Sequence, residues 1–204
     1  MSKLKFLNFR NSKVKIGILG GSFNPPHVGH LNISLQTIKR FNLSYVFWLP
    51  TPCNPTKDPS TYIDFQERIN KCVELIKPYQ NKIRVLDIEK FFRNFYSANT
   101  IDFIKKIHPK VSIYWIIGCD NALYFHRWYK WKKILEKAKV IVCERSEMGI
   151  KFHNTKTASN YGFSVVNKDF QEDNLMMFHM KKINISSTNL RNMLCISQSR
   201  TTKK

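Results

Sequence analysis

The stretch that decides the fold runs from residue 20 to residue 30 and reads Gly20-Gly21-Ser22-Phe23-Asn24-Pro25-Pro26-His27-Val28-Gly29-His30. The residues before it, 14–19, form a β-branched apolar run that predicts a buried strand. After it, four apolar residues recur at helical spacing and predict the buried face of a helix: Leu31, Leu35, Ile38 and Phe41. The quoted stretch is therefore predicted to connect a strand to a helix.

The residue types in this loop suit a bound triphosphate. The pair Gly20-Gly21 is expected to let the backbone turn tightly and approach a ligand, while Pro25-Pro26 stiffens the loop. Amides in the first turn of the following helix would point at an anion. His27 and His30 would lie on one side of that turn, where each can donate an N–H to a phosphate oxygen. The alternative is a helix-capping turn with two surface histidines.

The length and charge of the chain indicate one domain with a basic surface. One domain is expected from 204 residues, spanning 14–197 between a basic, disordered lead-in at 1–13 and a basic tail at 198–204. The net charge of +20 would concentrate polyanions near the surface, and the candidates are ATP, pyrophosphate, nucleic acid and anionic membrane. The alternative is that the lysines are spread over solvated faces and have no partner of their own.

The cysteines and the apolar runs indicate where the protein works. Its five cysteines include no C-x-x-C pair, so neither a disulfide framework nor a zinc site is expected, and a reducing compartment fits best. The longest apolar stretch, 111–119, is far shorter than the roughly 20 residues that span a bilayer. We therefore expect a cytoplasmic protein without a membrane segment.

Strand and helix patterns alternate along the rest of the chain. Strands are predicted at 45–49, 83–88, 111–117 and 140–143, and helices at 65–76, 98–107 and 131–137. Helices of this length between strands favour a parallel sheet covered on both faces. The predicted fold class is a Rossmann-like, doubly wound α/β fold of three layers, with ligands at the carboxyl ends of the strands.

A second motif stands near the end of the chain and reads Ile185-Ser186-Ser187-Thr188-Asn189-Leu190-Arg191. Small hydroxyl residues at this place can simply cap the short helix that follows. Three consecutive hydroxyls offer more hydrogen-bonding groups than a cap needs, and Arg191 can fork onto a phosphate one turn later. The motif is thus either a helix cap or a second grip on the triphosphate.

With both motifs, the chain resembles the nicotinate or nicotinamide mononucleotide adenylyltransferases of the HxGH nucleotidylyltransferase superfamily. The resemblance covers nearly all of 14–195. It includes 66–75, which resembles the Arg-containing helix of the family, Tyr96-Ser97-Ala98-Asn99-Thr100, and Gly118-Cys119-Asp120 followed by Trp128. It implies a nucleotidylyltransferase-type fold and transfer of AMP from ATP to the 5′-phosphate of the mononucleotide, with release of pyrophosphate and no covalent intermediate. It also implies Mg²⁺ held by phosphates and water rather than by protein ligands.

The resemblance assigns roles residue by residue. The residues expected to stabilise the reacting phosphates are His27, His30 and Arg191. Those expected to bind the ATP phosphates are Gly20, Gly21, Ser22, Phe23, Ser186, Ser187 and Thr188. Those expected to bind the mononucleotide are Asn99, Thr100, Asp120, Trp128, Lys57 and Arg145. The chain departs from the family pattern at Thr56, where a histidine is frequent, and at Ser146, where a proline usually follows the arginine.

Other functions remain open at this stage. Pantetheine-phosphate adenylyltransferase shares both phosphate motifs but not the segment from Gly118 to Trp128. A catalytically silent nucleotide or RNA binder would use the basic surface and the aromatic residues interleaved with Lys and Arg at 124–133. We expect ATP and the mononucleotide as partners, no membrane and no nucleic acid, and the sequence is compatible with a homo-oligomer.

Trp128 is expected to stack on the pyridine ring, the alternative being a half-buried core residue.

Overall fold

The computed structural model describes residues 14–52, 63–88, 92, 94–144, 149–167 and 172–180. The described strands are β1 (Lys15–Gly21), β2 (Tyr45–Pro50), β3 (Ile83–Val85), β4 (Ser112–Gly118), β5 (Lys139–Glu144), β6 (Ser164–Val165) and β7 (Leu175–His179). The described α-helices are α1 (Val28–Phe41), α2 (Phe65–Leu75), α3 (Ser97–Ile107), α4 (Cys119–Ala122), α5 (Trp131–Lys137), α6 (Gly149–His153) and α7 (Lys156–Tyr161). The predicted lead-in, the predicted tail and the hydroxyl motif at 185–191 lie outside these ranges.

The seven strands form one sheet in the order β3-β2-β1-β4-β5-β7-β6, and every neighbouring pair is parallel. The chain first builds outward from β1 through β2 to β3, then returns to place β4 on the other side of β1. Parallel neighbours need crossover connections, which the helices supply. The predicted doubly wound α/β fold is confirmed.

Two apolar clusters cover the two faces of the sheet. Alternation along β4 sends Trp115 to one face and Tyr114 to the other, because successive strand residues point in opposite directions. The Trp115 face packs against α3 and α5, and the Tyr114 face packs against α1 and α2. The sheet is therefore the middle of three layers. Among the described residues, no helix is long and apolar enough to cross a membrane.

The strand predicted over 83–88 is shorter in the structure and ends at Val85. Its ladder with β2 runs from the Val46 N–H donating to the Lys82 carbonyl up to the Leu86 N–H donating to the Trp48 carbonyl. The next donor in that register would be the amide of residue 50, which is a proline and has no N–H. The ladder therefore stops there.

The last strands and helices were not predicted from the sequence. β7 reads Leu-Met-Met-Phe-His, which lacks the β-branched residues that mark a strand, yet it pairs with β5 along its whole length. Leu175, Met176 and Met177 are all buried, which places β7 inside the sheet with β6 outside it. Helices α6 and α7 lie between β5 and β6 in the chain.

Candidate active site

The carboxyl ends of β1 and β4 mark the place where the strand order reverses. β1 and β4 are neighbours, but β1 continues into α1 and β2 on one side, while β4 continues into α4 and β5 on the other. Connections that diverge in this way leave a crevice at the carboxyl edge of a doubly wound sheet. Gly20-Gly21 ends β1 at this edge, and Asp120 is exposed in α4, so the structure brings these predicted site residues to one edge.

His27 and His30 build the cap of α1 with their side chains. His27 is the N-cap residue, and its Nδ1 accepts a hydrogen bond from the Gly29 N–H at 3.1 Å. The backbone N–H of His27 donates to Nδ1 of His30 at 3.2 Å. This reciprocal pattern is a capping box in which histidines replace the usual Ser or Thr and Glu or Gln.

The cap fixes the tautomer of both imidazoles. An Nδ1 that accepts a hydrogen bond carries no proton, so each neutral ring holds its hydrogen on Nε2. The two ring centroids lie 3.9 Å apart. The first turn of α1 contains no acidic residue. The arrangement therefore combines two Nε2–H donors with the positive end of a 14-residue helix, which suits an anion. The structure thus shows that both histidines cap the helix, and their binding of phosphate stays a prediction.

The turn in the loop does not lie where the sequence placed it. Gly20 and Gly21 belong to β1 and pair in register with Leu49 and Pro50, so the expectation of a tight glycine turn is wrong. The strand ladder keeps them extended. The chain turns instead at Phe23, whose φ is 45°, and the Asn24–Pro25 peptide is cis.

A Cβ at Gly20 would make only an ordinary van der Waals contact, so space for that atom does not itself require glycine there. A Cβ there would lie 3.4 Å from the ring of Trp115. The backbone of β1 therefore lies close against the indole at the end of the strand.

The Phe23 ring supports His30 from behind. It is buried, lies 5.0 Å from the Trp48 ring in a stacked arrangement, and lies 4.6 Å from the His30 ring. Trp48 Nε1 donates to Ser34 Oγ at 2.8 Å, and Ser34 Oγ donates to the His30 carbonyl at 2.8 Å. With its side chain enclosed, Phe23 can face a ligand only through its backbone.

A functional residue that the sequence reasoning missed is Arg68 in α2. The resemblance covered the Arg-containing helix over 66–75 but gave Arg68 no role of its own. The residue is 1% exposed, and its guanidinium donates to the carbonyl of Ser22 in the loop at 20–30 and to the carbonyls of Thr51, Pro52 and Ile63. A signal was present, because Arg68 lies four residues before Cys72 and therefore on the buried face of the helix. A charged residue on that face indicates a satisfied, specific role.

The segments predicted to bind the mononucleotide meet on the Trp115 side of the sheet. The Tyr96 ring, at the start of α3, stacks on the Tyr129 ring with centroids 4.6 Å apart. Trp128 precedes Tyr129, is half-buried and packs on Phe125 with ring centroids 5.3 Å apart. The stacking of Tyr96 on Tyr129 brings the start of α3 next to Trp128. In this part of α3, Asn99 is half-buried and Thr100 is buried. The assignments of these residues to the mononucleotide stay predictions.

Six predicted site residues lie outside the described ranges. They are Lys57, Arg145, Ser186, Ser187, Thr188 and Arg191. Whether the hydroxyl motif and the histidine motif form one phosphate cradle therefore stays a prediction.

The thiols near the site are not prepared to act as nucleophiles. Burial raises the pKa of Cys119 to about 11, and the negative charges of Glu144 and Asp120 add to the rise. Burial also raises the pKa of Cys72 to about 12, against the opposing effect of Arg68. Thiols held protonated in this way are poor nucleophiles. Glu144 ends β5 as a mostly buried residue, and its carboxylate contacts Nδ1 of His179.

Known proteins resemble this chain in sequence over most of its length. The family model described as cytidylyltransferase-like matches residues 18–193. A protein of Pelagibacter ubique named probable nicotinate-nucleotide adenylyltransferase is 38% identical over 186 residues, which cover 90% of this chain and 96% of that protein. A protein of Agrobacterium fabrum with the same name is 32% identical over 184 residues, covering 87% of this chain and 97% of that protein.

Solved structures agree at the level of the fold. Nicotinic acid mononucleotide adenylyltransferase of Plasmodium falciparum, complexed with NaAD, superposes with a TM-score of 0.68 at 20% identity, covering 88% of this chain and 83% of that one. A structure from Vibrio parahaemolyticus described as a putative nicotinate-nucleotide adenylyltransferase gives a TM-score of 0.59 at 21% identity, covering 90% of this chain and 88% of that one. At these identities the likeness speaks for the fold alone.

Proposed function

The chain belongs to the nicotinate-nucleotide adenylyltransferases among the cytidylyltransferase-like proteins, and we propose that it transfers AMP from ATP to nicotinate mononucleotide. The products are nicotinic acid adenine dinucleotide and pyrophosphate, and the reaction is a step of NAD biosynthesis. The observation that carries the proposal is the histidine capping box, which sets two neutral imidazoles with N–H groups at Nε2 on a helix N-terminus where β1 and β4 diverge.

The nucleophile needs no general base from the protein. It is the 5′-phosphate of the mononucleotide, whose second pKa is about 6, so it is largely ionised at neutral pH. Catalysis then depends on aligning two anions and on neutralising charge at the α-phosphate and the departing pyrophosphate. His27 and His30 supply donors for that charge, and the amides of α1 lie behind them. The protonated thiols of Cys72 and Cys119 agree with direct transfer and no covalent intermediate.

Mg²⁺ belongs to the proposal as an ion that arrives with ATP. Its preferred ligands are oxygens, and in nucleotide sites it keeps several waters and binds substrate phosphates. Within the described ranges, no three His, Cys, Asp or Glu side chains form a group that could hold a metal ion on its own. In this proposal the ion is coordinated mainly by the nucleotide and water, where it would neutralise phosphate charge. The cytoplasmic location inferred from the cysteines is likewise part of the proposal.

Pyrophosphate release tests the activity directly. ATP is supplied with nicotinate mononucleotide, nicotinamide mononucleotide or 4′-phosphopantetheine in parallel, and the values of kcat/KM are compared. We expect the highest value with nicotinate mononucleotide. A preference for 4′-phosphopantetheine would identify the other adenylyltransferase, and release with none of the three would reject the proposed activity.

The capping box allows the histidines to be tested without removing the cap. Asn is a good N-cap residue, and Gln is the usual partner at the third helical position. Ser and Glu are equally usual at these two positions and carry no side-chain N–H, so His27→Ser and His30→Glu keep the acceptors that cap α1 but lose the N–H donors. Each variant should lose about 10²-fold or more in kcat, the typical effect of removing one such donor, while its melting temperature stays near that of the wild type. Near-normal turnover in both variants would contradict the assigned roles.

A further inference from the structure

Behind the loop at 20–30 lies a buried charge that the reaction above does not use, the guanidinium of Arg68. Burying a charged group is costly unless its donors are satisfied. Nε donates to the Ile63 carbonyl at 3.0 Å, and Nη2 donates to the Pro52 carbonyl at 2.9 Å. Nη1 donates to the carbonyls of Ser22 at 2.5 Å and Thr51 at 2.9 Å. At least four of the five guanidinium hydrogens thus have backbone partners.

These partners come from three separate parts of the chain. Ser22 lies in the loop after β1, Thr51 follows β2, and Ile63 leads into α2. Two further hydrogen bonds join the same parts: the Thr51 N–H donates to the Gly21 carbonyl at 2.9 Å, and the Ile63 N–H donates to Asn24 Oδ1 at 3.0 Å. We call this set of bonds centred on Arg68 the arginine brace.

The arginine brace holds a piece of backbone that would not keep its shape alone. Phe23 has a φ of 45°, and a bulky residue adopts that left-handed conformation only when its surroundings fix it. Its ring is fixed between Trp48 and His30, and the peptide group before it is fixed by Arg68 through the Ser22 carbonyl. Without that bond, residues 22–24 can relax, and the peptide amides before α1 move with them.

We propose that Arg68 is a positioning residue for the phosphate-binding loop. It orients the backbone at 22–24 through hydrogen bonds to carbonyls and does not itself touch the nucleotide. Its kinetic consequence rests on the function proposed above. The positioning depends on the planar, forked arrangement of the guanidinium donors, which we call the fork, because four carbonyls are arranged around this one planar group. A lysine keeps the charge, but its compact ammonium has three donors at one point and cannot reach all four.

Kinetics of Arg68→Lys separate positioning from charge. We expect kcat to fall at least tenfold, because misplacing reacting groups by about 1 Å can cost about 10²-fold. The KM for nicotinate mononucleotide should change less than threefold, because the segments at 96–100 and 118–129 contribute no bond to the brace. Glu172→Gln, at the opposite edge of the sheet, is the control for destabilisation and should keep kcat within twofold. A kcat for Arg68→Lys within threefold of the wild type would overturn the proposal.

Chemical rescue gives a second kinetic test. Methylguanidinium at low millimolar concentration can enter the space left in Arg68→Ala and restore the fork. We expect it to raise the kcat of that variant at least fivefold and to leave the wild type unchanged. No increase in a folded Arg68→Ala would count against the fork. If Arg68→Ala does not fold, Arg68→Lys decides the matter alone.

Hydrogen exchange tests the brace without reference to catalysis. In Arg68→Lys, the amides of Thr51 and Ile63 should exchange at least tenfold faster, while those of β7 keep the wild-type rate. Unchanged exchange at both amides, with an active wild-type enzyme, would refute the brace and leave the proposed function intact. If the wild type were inactive but the two amides exchanged faster in Arg68→Lys, the brace would stand and the proposed function would be rejected.

Discussion

A carboxylate cluster at the amino-terminal edge of the sheet should control the acid stability of the fold. Glu172 precedes β7, and its Oε1 accepts a hydrogen bond from Lys15 Nζ at 2.7 Å. Its Oε2 accepts from Lys139 Nζ at 2.7 Å and from the Tyr114 hydroxyl at 2.6 Å. Lys15 begins β1 and Lys139 begins β5, so one carboxylate links the start of β7 to three other strands. We predict that Glu172→Gln lowers the free energy of unfolding at neutral pH.

The size of the effect follows from the pKa of Glu172. Burial by itself would raise this pKa, but the hydrogen bonds from Lys139, Lys15 and Tyr114 outweigh it and lower the pKa from 4.5 to about 2. At about 1.4 kcal/mol per unit, that shift corresponds to roughly 3 kcal/mol as an upper bound. The lysine side chains are about one-third exposed, so solvent screening reduces the value. After this reduction, we expect Glu172→Gln to lower the free energy of unfolding by about 1–2 kcal/mol.

The sign of the pH dependence is fixed by the direction of the shift. A carboxyl whose folded-state pKa is depressed stabilises the fold above its unfolded-state pKa and loses that contribution as the pH falls toward the folded-state value. The difference between wild type and Glu172→Gln should therefore be constant above about pH 5.5 and shrink between pH 4.5 and about 2. Urea unfolding at constant low ionic strength measures it, because guanidinium chloride would screen the charges.

The matched control is Glu67→Gln. Glu67 pairs with Lys71 at 2.7 Å on the exposed surface of α2, at a spacing of four residues. Such a pair contributes only about 0.3–0.5 kcal/mol. If Glu172→Gln costs no more than this control at neutral pH, or if its cost persists unchanged near pH 3, the reasoning about the cluster is wrong.

Two further predictions concern packing and substrate binding. Gly17→Ala should destabilise the fold by about 1–3 kcal/mol in thermal or urea unfolding, because the new Cβ would lie 2.9 Å from side-chain carbons of Ile116, Leu43 and Val46; an unchanged stability would show that these groups move freely. Trp128→Ala should raise the KM for nicotinate mononucleotide about two- to tenfold while leaving the KM for ATP unchanged, the loss of one ring stacking contact being worth about 0.5–1.5 kcal/mol; equal changes in both values would assign Trp128 to the core instead.

The layers of the fold could be predicted because they depend on local patterns. Residues 45–49 and 140–143 are apolar runs bounded by breaks, and α5 occupies the predicted span of 131–137. These signals need only neighbouring residues. β7 carried no such signal, because its strand character comes from pairing with β5 more than 30 residues earlier in the chain. Packing within the sheet compensates for its weak strand propensity.

The sequence predicted the two histidines of the site but not the shape of the loop that carries them. The motif at 20–30 identified His27 and His30, yet assigned the turn to Gly20-Gly21 when Phe23 makes it. Arg68 donates to Ser22 across 46 residues, and no helical or strand period can reveal a partner at that distance. Contacts of this kind depend on the sheet having already brought β1 and β2 together.

The histidine capping box explains why structure and proposed chemistry share one short motif. In an ordinary capping box the cap side chains are fully used by the helix, since a serine or glutamate offers its oxygen to an amide and has little further role. An imidazole has two separate nitrogens, so His27 and His30 can accept from the backbone at Nδ1 while each neutral ring carries an N–H at Nε2. Capping α1 therefore fixes the protonation pattern that phosphate binding needs. A substitution that keeps the cap but removes the N–H donor separates the two roles, which is why His27→Ser and His30→Glu test the mechanism more sharply than alanine.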